Sequence, residues 1–232
     1  MRCWIVAVIL LFLPITTQAA ITCTGQSFPF AVPTDPQAQD YTVPSVTNGI
    51  TLLHTAMRAS ARALDTLTIG GNSVTEIDTK ITSTNTSTQV SYRLSVGSGT
   101  QSVSANFDAA PLTYVLTAVT CEGVDQTTPV ASTNTASGSS TTASVTCTGT
   151  TAGQVVLDFV STGGGTGSFT AGGGQTNLDN DTAESLVAGA SIEAGGGDIT
   201  MSQTVPSGDW VTRCVVLNPA SSRIRGGSSY LP

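Results

Sequence analysis

The side chains able to do acid–base, nucleophilic or metal chemistry are few and scattered along this sequence. His54 is the only histidine and stands among Ile50, Leu52, Leu53 and Met57, the setting of a structural residue in an apolar strand. A catalytic zinc usually takes two or three imidazoles, so a single one counts against that chemistry. No G-x-S-x-G turn is present to expose a serine nucleophile. Asp125, Asp158 and Glu184 are the acids a glycosidase pair would draw on, its carboxylates standing roughly 5–10 Å apart. No cluster of aromatic residues surrounds them to hold a sugar ring. Glycine triplets at 163–165, 172–174 and 195–197 match neither G-x-G-x-x-G nor G-x-x-x-x-G-K-[ST]. They precede strands and read as turns. The sequence predicts a protein that is not an enzyme.

One segment has the composition of a cation loop. Residues 177–184, NLDNDTAE, alternate oxygen-bearing side chains, and calcium takes six to eight oxygens. Asp179, Asp181 and Glu184 are the expected ligands, without the glycine and spacing of an EF-hand, and calcium is the only cofactor expected. Cys23, Cys121, Cys147 and Cys214 are spaced by 98, 26 and 67 residues, which fits no zinc pattern. With Cys3 in the N-terminal leader, these four are the cysteines left after export, and an even number predicts two disulfides, in any of three pairings.

The elements that carry these residues begin with a leader. Residues 1–20 place one arginine before an uncharged run from Trp4 to Pro14 and end on small residues. This is the form of a secretory signal cut after Ala19 or Ala20. Its apolar run is shorter than the roughly 20 residues of a spanning helix, and Thr22 before Cys23 departs from a lipobox. A secreted or cell-surface protein is expected, without membrane insertion after cleavage. Residues 21–40 are Pro-rich and have no period, the form of an extended arm ahead of the folded domain. Phe28, Phe30 and Val32 share one face of an extended chain, and with Ile21 they form an expected interaction surface for a sheet groove. Only 10% of residues are charged and the balance is −7, against nucleic acid and anionic membranes, which call for basic patches.

Beyond the arm, Thr, Ser, Gly and Val dominate. β-Branched side chains fit a pleated sheet and Gly and Ser supply its turns. The clearest strands are 49–58, 64–69, 73–78, 89–96, 101–107 and 113–121, with a hairpin on Gly97-Ser98-Gly99. The second half repeats the first, as pseudo-repeats over about 41–123 and 143–219. Residues 41–56 match 143–160 with Gly49 answering Gly153, and YVLTAVTCEG (114–123) falls on WVTRCVVLNP (210–219), 96 residues later. At that offset Val96, Gly99 and Val103 meet Ile192, Gly195 and Ile199. A duplicated unit packing on its copy predicts an all-β fold: a two-sheet antiparallel β-sandwich of about ten to twelve strands. It spans 41–220, with a flexible tail over 221–232.

The run AVTCEGVDQTTPV (118–130) resembles the A-Y/F-x-G-V-D-x-x-T-P signature of jelly-roll-like modules in bacterial extracellular proteins and phage tail or fibre proteins. Thr151–Leu157, Ala171–Gln175 and Asp209–Pro219 resemble that group's other strands. Glu122 and the three domain cysteines depart from it. The resemblance implies a jelly-roll-like sandwich and no shared activity. The function expected is a non-enzymatic structural or interaction protein at the cell surface: an adhesin, a matrix component or a filament subunit. It would associate with itself or with other surface proteins. The alternative is a carbohydrate-binding module taking glycans, with calcium as its ion.

Overall fold

β-Branched and small polar residues alternate between glycine turns along most of the chain, and strands follow from that pattern. The computed structural model describes residues 19–30, 35–58, 63–109, 111, 113–206 and 208–221. Its regular structure is strand alone. The first half runs β1 (Thr22–Phe30), β2 (Gln37–Val43), β3 (Ile50–Arg58), β4 (Leu64–Ile69), β5 (Asn72–Ser73), β6 (Thr75–Glu76), β7 (Ile81–Thr82), β8 (Thr86–Leu94), β9 (Gly99–Phe107) and β10 (Thr113–Glu122). The second runs β11 (Val130–Gly138), β12 (Thr142–Thr150), β13 (Val155–Gly163), β14 (Thr170–Ala171), β15 (Thr176–Ala183), β16 (Leu186–Ala194), β17 (Gly197–Thr204) and β18 (Asp209–Leu217).

The pairing is that of one long hairpin rolled over itself. β1 pairs β10, β2 pairs β9, β3 pairs β8 and β4 pairs β5, all antiparallel. Two sheets result, β1-β10-β3-β8-β6 and β2-β9-β4-β5, which is the strand order of a jelly roll. The second half repeats it, with sheets β11-β18-β13-β16-β15 and β12-β17-β14. The expected all-β, jelly-roll-like sandwich with an internal duplication is the fold this chain adopts.

The duplication stacks four layers where two were expected, because each repeat closes its own sandwich first. Phe28, Tyr41, Leu53, Met57, Phe107 and Tyr114 fill the first lobe. Val145, Val156, Met201 and Val216 fill the second, with a satellite at Phe169 and Trp210. The outer faces of the two larger sheets then pack on each other through Ile50, Leu52, Val90 and Val119 against Val155, Leu157, Phe159 and Val215. Strands β3, β10, β13 and β18 are therefore buried on both faces, which is why they read as continuous apolar runs.

Register fixes which residues are counterparts. Ile50 faces Cys121 and Leu94, while Val155 faces Leu217 and Ala194. The offset of 96 thus holds for β10 and β18, where Tyr114 faces Met57 and Trp210 faces Thr162. It fails in β16: Leu52 faces Tyr92 and Leu157 faces Ile192, so Tyr92, not Val96, is the counterpart of Ile192. The cause is a turn of residues 95–98 in one lobe and 195–196 in the other.

The described residues of the expected arm belong to the sandwich instead: 22–30 form β1 and 37–40 start β2, so the sandwich begins at Thr22 rather than Tyr41. The expected strand 73–78 is two short pieces, β5 and β6, separated by Val74. The signal segment up to residue 18, Val32 and the tail from residue 222 lie outside the described residues.

Candidate functional site

His54 sits at the centre of the layer between the lobes. Its register counterpart is Phe159, and the two rings meet with centroids 5.4 Å apart. His54 Nε2 bonds Thr88 Oγ1, while Nδ1 has no partner. Burial first, and the charge of Arg213 second, hold this imidazole well below its ordinary range, at about 3. It is neutral at pH 7 and closed to solvent. Arg213 stands beside Phe159 in β18 and donates from Nη2 to Thr79 O at 2.7 Å, with Asp78 Oδ2 at 3.7 Å. Burial lowers its pKa and Asp78 opposes that. One guanidinium therefore ties the second lobe to the first. These groups are sealed into the seam between the lobes.

The rim of the same layer is polar. Thr86 Oγ1 donates to Ser161 Oγ at 3.3 Å, and Asn85 Nδ2 to Asp209 Oδ2 at 3.2 Å. The acidic segment belongs to this rim: it is mostly strand β15, at a sheet edge, rather than a loop. Asp179 receives bonds from the Ser27 hydroxyl and backbone N–H of β1, and its net pKa is raised, chiefly by burial. Asp181 accepts from the Thr182 N–H at 2.7 Å. Glu184, in the turn after β15 with φ at 51°, accepts from Thr113 Oγ1 at 3.3 Å. Among the described residues, no group of three His, Cys, Asp or Glu side chains is placed to hold a metal ion.

The cysteines form Cys23–Cys121 and Cys147–Cys214. The first joins neighbours β1 and β10; the second spans the two sheets of the second lobe, from β12 to β18. Three of the four residues expected to fill a sheet groove do so within this molecule. Ile21 enters the layer between the lobes, Phe28 the first lobe's core, and Phe30 stacks on Tyr114 at 5.1 Å.

Asp125 lies in the linker between β10 and β11. It accepts the Thr127 and Thr128 N–H groups at 2.7 and 2.8 Å, and those two bonds, Thr128's first, lower its pKa. Asn218 Nδ2 donates to Thr128 O, and Ala220 N to Gly123 O. The G-V-D-x-T-T-P segment is thus a clasp that fastens the linker to the residues after β18. Asp125, Asp158 and Glu184 stand in the linker, in the second lobe's core and in a turn, and do not form a pair.

Asp158 is the group whose setting the sequence analysis missed. It lies between the sheets of the second lobe and accepts from Ser191 Oγ at 2.5 Å, Ser191 N at 3.1 Å and Gln203 Nε2 at 2.9 and 3.0 Å. Ser191 Oγ also meets the Gln175 side-chain amide at 2.9 Å. Burial raises the carboxyl to about 6 despite these bonds. The signal was a lone acid inside the apolar run Val155–Val160. In the first lobe, Leu53 faces Ser91 where Asp158 faces Ser191. Ser91 instead lines a cleft of about 150 Å³ with Leu64, Asp65, Glu76 and Gln89. Neither a protein-family model nor a curated protein matches the chain.

Proposed function

We propose that this chain is an exported, non-enzymatic structural or interaction module acting at the cell surface. The observation that carries this reading is the fate of its only histidine, closed between two jelly rolls with 0% exposure and held neutral. Asp125 and Asp158 likewise accept internal bonds, and Arg213 Nη2 donates one. One disulfide closes each lobe, as suits an oxidising compartment, and among the described residues no helix is long and apolar enough to cross a membrane. With β1 bonded covalently to its own lobe, contacts with other copies or surface proteins use the outer sheets rather than a swapped arm. Immunogold labelling of intact cells tests the location: label on the outer surface or on shed material is expected, and label confined to the cytoplasm would sink the reading.

A second reading has one observation in its favour. The cleft at Asp65, Glu76, Gln89 and Ser91 presents carboxylate and amide groups that suit sugar hydroxyls. A glycan array with and without EDTA separates a carbohydrate module, calcium-dependent or not, from a purely structural one. Binding lost in an Asp65→Ala variant would favour the carbohydrate reading.

A further inference from the structure

We propose that Ser191 and Gln203 form an intramolecular ester cross-link, with Asp158 carrying the proton, which joins the two sheets of the second lobe. Three groups from three strands converge there: a hydroxyl on β16, a primary carboxamide on β17 and a carboxylate on β13. All three residues are within 1% of full burial. Ser191 Oγ donates to Asp158 Oδ1 at 2.5 Å, and Gln203 Nε2 lies 3.4 Å from Ser191 Oγ and 2.9 and 3.0 Å from the two Asp158 oxygens. The nucleophile's proton acceptor is thus already bonded to the leaving nitrogen.

The fold does not require these groups. The first lobe builds the corresponding places with Leu53, Ser91 and, counting from Gly99 and Gly197 at the strand starts, Ala105. In the second lobe the same space holds a carboxylate, and the buried Gln203 Oε1 has no hydrogen-bond partner. A half-satisfied buried network costs more than an apolar core. Joining the hydroxyl and the amide would replace those contacts with one covalent tie between β16 and β17, across the two sheets.

The step balances without an added reagent. Ser191 gives its proton to Asp158 while Oγ bonds to the Gln203 amide carbon. The C–N bond then breaks, Asp158 returns the proton to the nitrogen, and ammonia leaves. An alcohol and an amide become an ester and ammonia, with no change of oxidation state. Asp158 is suited to both transfers because burial brings its carboxyl to about 6, near the pH at which it works. Gln203 rather than Gln175 is the acyl donor, since the Gln203 nitrogen is the one bonded to Asp158.

The test is the intact mass of the secreted protein after reduction and denaturation, compared with the mass calculated from its measured N-terminus. Loss of one ammonia leaves the chain about 17 Da light. Ser191→Ala, Gln203→Leu and Asp158→Asn should each restore the full mass, whereas Gln175→Leu should keep the deficit. Brief alkali should add about 18 Da to the wild type by hydrolysing the ester. Wild type at full mass would overturn the proposal, and needs no variant to fold. A deficit that survives Ser191→Ala would overturn it as well.

Discussion

His54→Phe puts the residue found at the register counterpart, Phe159, on both sides of the seam. Wild-type His54 is held neutral from its ordinary 6.5 down to about 3 by burial and by Arg213. Between those values the unfolded chain binds a proton that the native chain does not. Stability from this group is therefore present above about pH 6.5 and is lost as pH falls toward 3. The slope is about 1.4 kcal/mol per pH unit and the ceiling about 5 kcal/mol. Asp158 acts in the opposite sense. With its carboxyl raised to about 6, the native chain holds a proton between about pH 4 and 6 that the unfolded chain has released. That contribution is present at low pH and falls by about 3 kcal/mol as pH rises through the window. The two slopes offset each other in the wild type. In His54→Phe the His54 slope is gone while the carboxylates stay as they were, so the variant should gain about 3 kcal/mol on the wild type between pH 6 and pH 4. Urea denaturation of both proteins at the two pH values measures this. A difference that stays constant with pH would refute the reasoning, because it would mean His54 titrates alike in both states.

Four further outcomes are expected. Non-reducing intact mass should lie about 4 Da below the reduced value for two bridges, and Cys147→Ala with Cys214→Ala should cost about 4 kcal/mol in denaturant, given a loop of 67 residues; four free thiols in the native protein would contradict this. Gly138→Ala would place a Cβ 2.5 Å from Trp210 Cζ2, so it should cost about 1–3 kcal/mol and change Trp210 fluorescence; unchanged emission and stability would show that the ring does not lie over Gly138. Removing residues 20–30 deletes β1 with Ile21, Phe28 and the Cys23 bridge, each apolar side chain contributing about 1.5–3 kcal/mol; the first lobe should lose cooperative unfolding by calorimetry, and an unaltered transition would show that β1 is dispensable. Arg213→Met should remove the bond to Thr79 O between the lobes and speed amide exchange around residues 78–82; unchanged exchange would contradict the tie.

Much of the fold was legible because two-sided burial writes itself as apolar runs. Ile50–Met57, Val115–Val119 and Val155–Val160 mark the central strands, and the closing pair Tyr114 and Trp210 fixed the repeat. β1 was hidden by Pro29, which breaks the pattern of an interior strand but is tolerated at an edge, where β1 lies. β15 was hidden in the same way, since its acids face a seam that exists only once the second lobe meets the first. A constant offset also cannot follow turns that differ in length between the lobes. The four cysteines beyond the leader announced two bridges but not their pairing, which depends on strand neighbours far apart in sequence. Asp158 and Arg213 each interrupt an apolar run, and such interruptions were the overlooked signal for the buried polar groups.

The most direct test of the proposed role is the mass of the native assembly. Material released without denaturant from the medium or the cell surface would be sized by light scattering and viewed in negative stain. Particles much heavier than a single chain, which is at most 23.5 kDa, are expected, containing further copies or a surface partner. A single chain, alone in solution at every concentration and absent from the cell surface, would contradict it.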